Sequence, residues 1–178
     1  TKPMTLREDF CGTFAVSCEW AKSDKHRQAI GLDICPETLA WGTENNLGKL
    51  KAKVAERVEV LEQDVRSRTV PQVDVLAAQN FSFWCFKTRA EVLNYFKIAY
   101  ETLGEKGVMV MDMMGGKECY ASDVTDKRTI IKGREGFKYH WEQAYFNPVT
   151  ADCSFFIHFK FGDGSMIKKA FDYHWRFW

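Results

Sequence analysis

Two short segments carry the residue types that a nucleotide site needs: Thr5 to Phe14, TLREDFCGTF, and Ile30 to Ile34, IGLDI. Together they describe a strand, a glycine turn, a helix and a second strand ending in an acid. In the turn Cys11-Gly12-Thr13 the small Gly12 lets backbone N–H groups come close to a ligand. Asp33 follows Gly12 by 21 residues, where a carboxylate at the tip of the second strand can accept both hydroxyls of a ribose. The competing role for Asp33 is to cap the helix that starts at Pro36; its spacing and strand-end placement favour the ribose.

These residues need a scaffold, and the first two thirds of the chain supply one. Strand patterns run from Met4 to Phe10, Gln28 to Ile34, Val58 to Asp64, Val73 to Asn80 and Val108 to Met114. Helical spacing separates them: Thr13 to Lys22, then Pro36 to Asn46 with a stop at Asn46-Leu47-Gly48. A later helix opens on the capping box Thr88-Arg-Ala-Glu91, buries Val92, Phe96, Ala99 and Leu103, and closes at Gly104. Such alternation predicts an α/β, Rossmann-like three-layer sandwich with a parallel core in the order 3-2-1-4-5. The turn at Cys11 to Thr13 then sits at the switch point.

After Gly115-Gly116 the pattern changes to period two. An irregular linker leads to a predicted three-stranded antiparallel meander, Tyr139 to Phe146, Cys153 to Phe161 and Met166 to Trp178, with turns at Asn147-Pro148 and Gly162-Asp163-Gly164. Odd positions are mostly aromatic or aliphatic and even positions mostly polar, so one face is expected to be buried and the other solvated. His140, His158 and His174 share the even face, with His140 opposite His158. Two such ligands beside Lys168 make a poor divalent site, so no metal is expected.

Composition narrows the class. The chain has 178 residues, 46% hydrophobic, enough for a sizeable core in one domain, divided here into residues 1–116 and a linker and meander at 117–178. Twenty-five Lys plus Arg against 24 Asp plus Glu, well mixed, argue against nucleic acid as a partner. Six cysteines without C-x-x-C spacing fit reduced thiols and a cytoplasmic setting. No apolar run reaches the roughly 18 residues of a membrane span, and H-E-x-x-H, G-x-S-x-G and phosphate-loop lysine motifs do not occur. The start at Thr1 and the finish on an aromatic strand predict a C-terminally truncated fragment. Its fifth strand would expose an edge and an apolar face that a second copy could cover.

Residues 4 to 116 resemble the class I S-adenosylmethionine-dependent methyltransferases, and the aromatic meander resembles the substrate-side insertion of their small-molecule branch. Glu8 matches the acid of the family's first motif and Cys11-Gly12-Thr13 its centre, while Phe10 and Phe14 stand at the outer glycine positions. Asp33 matches the ribose acid, followed by Ile34 as an apolar wall for adenine. Asp64-Val65 matches the adenine-edge motif, in which the carboxylate accepts the exocyclic amine and the next N–H meets a ring nitrogen. Asn80-Phe81-Ser82 lies where the fourth motif leaves its strand beside the transferable methyl. In the family a further helix and two strands follow the fifth strand.

The resemblance implies S-adenosyl-L-methionine as cofactor and methyl transfer to a small molecule by direct in-line displacement. Catalytic residues are not identified. Trp84, Tyr139, Trp141 and Tyr145 are candidates to line a substrate. Glu8 has two open roles, contact with the cofactor's ammonium group or ordering of the turn, and Asp9 shares both. Phe10, Phe14, Phe81, Phe83 and Trp84 either border the cofactor or pack in the core. Two rival functions remain: a catalytically inactive binding module on the same fold, and an NAD(P)-dependent oxidoreductase, which lacks its G-x-G-x-x-G and leaves Asp64 unexplained.

Overall fold

The computed structural model describes residues 2–68, 71–132 and 135–178. It divides into two compact units, residues 1–83 with 89–113, and residues 84–88 with 114–178.

The first unit holds strands β1 (Thr5–Asp9), β2 (Gln28–Asp33), β3 (Val58–Glu62), β4 (Val73–Ala78) and β5 (Leu103–Met111), with helices α1 (Ala15–Ser23), α2 (Pro36–Asn45), α3 (Ala52–Ala55) and α4 (Arg89–Thr102). The sheet order is β3-β2-β1-β4-β5, every pair parallel, as the sequence predicts. Register aligns the carboxyl ends. Asp9 pairs with Leu32 and Ala78, Asp33 with Glu62, and Ala78 with Met111. The loops leaving these strands therefore meet along one edge of the sheet, which is where a switch-point site forms.

Side-chain alternation along β1 decides what each face holds. Leu6 belongs to a buried cluster against which Trp20 of α1 packs, and Glu8 also reaches α1. Arg7 and Asp9 point to the opposite face, where α4 lies. Arg7, fully buried, donates from Nε to Asp9 Oδ1 at 2.6 Å, from Nη1 to Thr102 Oγ1 at 3.1 Å and from Nη2 to the carbonyl of Val65. Tyr95 Oη completes the network with a hydrogen bond to Asp9 Oδ2 at 3.0 Å. Asp9 is thus committed to the core, which corrects the expectation that it shares a cofactor role with Glu8. Burial pushes its carboxyl above the usual range against the pull of Arg7.

Three further expectations are corrected here. The fifth strand begins at Leu103 instead of Val108, because α4 stops at Thr102 and the chain pairs at once, Leu103 opposite Val73. Gly104 lies within that strand and is not a helix stop. The buried stripe of α4 is Val92, Tyr95, Ile98, Ala99 and Thr102, set by the Arg7 network, with Phe96 only half-buried. β5 pairs only with β4 among the described residues, and Val108 and Val110 stay exposed on it.

The second unit is an antiparallel sheet in the order β6-β7-β8-β9: β6 (Val124–Lys132), β7 (Glu135–Phe146), β8 (Asp152–Phe161) and β9 (Met166–Arg176). The expected irregular linker therefore contains a full strand, and the meander has four strands. β6 reads TDKRT through its middle, too polar for a period-two signal, and it forms by pairing with β7 from Val124–Gln143 onward. Residues 84–88 are fastened to this unit by Arg176 Nη1 to Lys87 O at 2.7 Å and Trp178 Nε1 to Phe86 O at 3.0 Å.

One face buried and one solvated is too simple a description. Phe155, Ile157 and Trp175 are buried on the odd face, yet Phe161, Ile167 and Phe171 on it are exposed, while Phe156 and His158 of the even face are buried. Irregular register between Gln143 and Tyr145, and between Ile157 and Phe159, breaks the simple alternation.

Candidate functional site

The site is built on the loop that joins β1 to α1. Phe10, Gly12 and Phe14 all take positive φ, at 55°, 54° and 45°. Phe10 and Phe14 thus take a left-handed, glycine-like backbone. Such a conformation is costly for a bulky residue and persists only where the surroundings dictate it. Around Phe14 the surroundings are two other glycines. A Cβ on Gly31 of β2 would lie 3.0 Å from Cys11 Sγ and 3.3 Å from Phe14 Cβ. A Cβ on Gly42 of α2 would lie 2.6 Å from both Phe14 Cε1 and the Thr13 carbonyl oxygen. Asn46 Nδ2 also donates to Thr13 O at 2.8 Å. The sequence reads Asn46 only as part of a helix stop and gives Gly31 and Gly42 no role in the turn, since that role depends on contacts across two elements.

α1 starts at a left-handed residue and has no side-chain cap of its own. Glu8 serves instead. Its Oε2 accepts the Ser17 N–H at 2.8 Å and the Ser17 hydroxyl at 2.5 Å, placing a carboxylate at the positive end of the helix. Of its two candidate roles, the structure displays the ordering of the turn. Burial pushes the Glu8 carboxyl upward, with the Ser17 hydrogen bonds opposing.

Asp33 closes the loop from the other side: Oδ2 accepts the Gly12 N–H at 2.7 Å and Oδ1 the Cys35 N–H at 3.0 Å. The carboxylate predicted to face a ribose therefore ties the glycine turn to the start of α2. Ile34, beside it, is 70% exposed, an apolar side chain held at the sheet edge. The space beside Gly12 is open, because a Cβ there would meet only Thr38 Cγ2, at 3.8 Å.

After β3, Asp64 is held by Arg66. Oδ1 accepts the Arg66 N–H at 2.8 Å and Nε–H at 2.9 Å, and Oδ2 accepts Nη2–H at 2.6 Å, which keeps the carboxyl below its usual range. Val65 is buried and fixed through its carbonyl by Arg7. After β4, Asn80 and Phe81 are consecutive positive-φ residues, at 56° and 44°, and Phe81 N–H donates to Asp112 Oδ1 at 2.9 Å. Asn80 is exposed. Glu8, Cys11, Gly12, Thr13, Asp33, Ile34, Asp64, Val65, Asn80 and Phe81 thus all lie at or just beyond the carboxyl ends of β1 to β4. Phe14 and Phe83 are core residues, and Phe10 packs on Tyr95 with ring centroids 5.7 Å apart.

The substrate-lining candidates belong to the second unit. Trp84 is buried, its ring edge-on to Phe177 at 4.5 Å and Trp175 at 6.1 Å, so it is packing as much as any core residue. Trp141 stacks on Phe155 at 5.0 Å, and Tyr139 lies 6.1 Å from Phe159. Tyr145, next to the register shift, is exposed. His140 does pair with His158, but the expected solvated face is corrected, since His158 is buried between Glu142 and β9. Among the described residues no three His, Cys, Asp or Glu side chains could hold a metal ion, and no helix is long and apolar enough to cross a membrane.

No protein-family model and no curated protein sequence matches the chain. Solved structures do. The CcbJ methyltransferase from Streptomyces caelestis superposes with a TM-score of 0.77 at 13% identity, covering 98% of this chain and 66% of that one. An S-adenosylmethionine-dependent methyltransferase from Clostridium acetobutylicum gives 0.73 at 17% identity, covering 99% and 68%. A SAM-bound amino pentose methyltransferase from Micromonospora echinaspora, involved in calicheamicin biosynthesis, gives 0.73 at 15%, covering 99% and 70%. The chain spans about two thirds of the length of these proteins and has their fold, the Rossmann-like fold of S-adenosylmethionine-dependent methyltransferases.

Proposed function

We infer that this chain is the cofactor-binding part of an S-adenosyl-L-methionine-dependent methyltransferase that acts on a small molecule. The observation that carries this reading is the Asp33 to Gly12 hydrogen bond: an acid at the end of β2 clasps a left-handed glycine turn at the switch point of a 3-2-1-4-5 sheet. The nicotinamide reading is weaker, because it gives Asp64 no task.

The residues fit such a cofactor. Asp33 accepts the ribose hydroxyls, Ile34 covers one face of the adenine, and Asp64 with the Val65 N–H reads its edge. Glu8 and the Cys11 to Thr13 turn hold the methionine end, with Asn80 and Phe81 beside the reacting centre. When bound, S-adenosylmethionine supplies a methyl on a sulfonium, and in-line displacement needs alignment and exclusion of water more than a covalent nucleophile. The acceptor screen begins with amino sugars, because similar structures include an amino pentose methyltransferase and a sugar N-methyltransferase from Streptoalloteichus. Six free thiols suit a cytoplasmic protein.

Calorimetry with S-adenosylmethionine, its demethylated product, NAD and NADP tests the reading. Both sulfur nucleotides should bind and neither dinucleotide should. Binding of neither sulfur nucleotide overturns the assignment. Binding without methyl transfer to any acceptor in the screen points to the inactive binding module.

A further inference from the structure

The four-stranded sheet carries a polar constellation for which methyl transfer has no use. Register places Lys127 of β6 opposite His140 of β7, and His140 opposite His158 of β8. With Glu142 and with Lys168 and Lys169 of β9 they line a cavity of about 570 Å³. Lys138 and Lys160 form the adjoining rung and also act on His140. Three lysines thus line this cavity with one carboxylate, and two more stand on the next rung.

The hydrogen bonds show which groups are occupied. His158 Nδ1 accepts the Lys169 N–H at 3.0 Å, so the ring proton sits on Nε2, where it is donated to Glu142 Oε2 at 2.7 Å. Lys169 takes a positive φ of 50° to make that bond, and its Nζ lies 3.9 Å over the Phe156 ring. The one carboxylate is therefore already engaged, and both nitrogens of His158 are used. His140 differs: its Nε2 is buried with no hydrogen-bond partner. A buried ring nitrogen without a partner loses hydration and recovers nothing, unless a ligand atom meets it. A cation does not fit among three lining ammonium groups with two more on the next rung; an oxyanion does.

We propose that this face of the β6 to β9 sheet is a binding site for a small molecule bearing a tetrahedral oxyanion, phosphate or sulfate, with His140 Nε2 donating to one oxygen while Lys127, Lys168 and Lys169 surround the charge. Charge-assisted hydrogen bonds of this kind are short and strong, and because the lysines are exposed their share weakens as salt rises. The site lies wholly within the second unit and stands independently of the methyltransferase reading.

The test follows the histidine ring signals of the full chain by NMR during titration with inorganic phosphate, sulfate and pyrophosphate, each at constant ionic strength against chloride. A saturable one-site shift of the His140 signals, with a rise in its titration midpoint, is the expected result. Tighter binding of pyrophosphate identifies a diphosphate-bearing ligand, and equal binding of all three a single oxyanion; both support the site. The double substitution Lys127→Gln with Lys168→Gln, on exposed ends of long side chains, should weaken binding about tenfold or more. A linear shift shared with chloride, or unchanged affinity in the double variant, overturns the proposal. Since His140→Gln alters a half-buried residue, the lysine variant is the decisive one.

Discussion

Phe14 and Gly42 form a matched pair: the phenyl ring of a left-handed Phe14 occupies the space that a Cβ on Gly42 would need, 2.6 Å from Phe14 Cε1. A bulky residue in a glycine conformation on one element is thus permitted by a glycine on another. The Thr13 carbonyl oxygen lies equally close, so relief by ring rotation alone is closed off.

Gly42→Ala is expected to destabilise the protein. Alanine in the interior of α2 gains about 1 kcal/mol of helix propensity, but the overpacking costs about 1 to 3 kcal/mol because the opposing atom is backbone. Urea denaturation should show a net loss, and the displaced turn should bind S-adenosylmethionine more weakly. A more stable variant would show that the turn yields freely.

Asp33→Ala removes the acceptor of the Gly12 and Cys35 amides and the proposed ribose contact. Cofactor affinity should fall by about 1 to 3 kcal/mol, roughly five- to 150-fold. Calorimetry on the folded variant reads it, and unchanged affinity takes Asp33 out of the site.

Asp64 and Arg66 give a test of opposite sign. Arg66 occupies both Asp64 oxygens, so Arg66→Ala should release the carboxylate for an adenine amine and raise its pKa toward the usual value. We expect cofactor affinity to hold or rise in Arg66→Ala and to drop in Asp64→Ala. A drop in both would make the ion pair, rather than the carboxylate, the binding element.

Glu8 makes a prediction about pH. Its folded pKa is raised by burial, so the folded state holds the proton more tightly than the unfolded chain. The group's contribution to stability is then fully present below the ordinary carboxylate range and declines as pH rises through that range to the raised value. Glu8→Gln removes this slope. The stability of Glu8→Gln relative to wild type should increase with pH across that window in denaturant melts. Asp9, raised in the same sense, is common to both proteins and cancels. A pH-independent difference would contradict the burial argument.

Thiol labelling separates the cysteines. Cys85 is exposed and Cys35 half-buried, whereas Cys11, Cys18, Cys119 and Cys153 are buried. Burial pushes the Cys153 thiol up to about 11 and those of Cys11, Cys18 and Cys119 upward as well, so little reactive thiolate exists at neutral pH. Mass spectrometry after brief native alkylation should find label on Cys85 and Cys35 first.

The sequence by itself determined the parallel order and the strand-end positions of the candidate site residues. Period, strand spacing and right-handed crossovers are properties of successive residues, and they put Gly12, Asp33, Asp64 and Asn80 at strand ends before any contact is known. Local signals could not show what lies across space. β6 is too polar to announce itself and exists because β7 offers it a ladder. The tasks of Arg7 and Asp9 depend on Tyr95 and Thr102, more than 80 residues away along the chain. Tertiary structure also decided that Phe14 could stand where a glycine is expected. A left-handed phenylalanine is unfavourable on its own, and the room for it comes from Gly31 and Gly42, whose missing side chains matter only once β2 and α2 close over the turn.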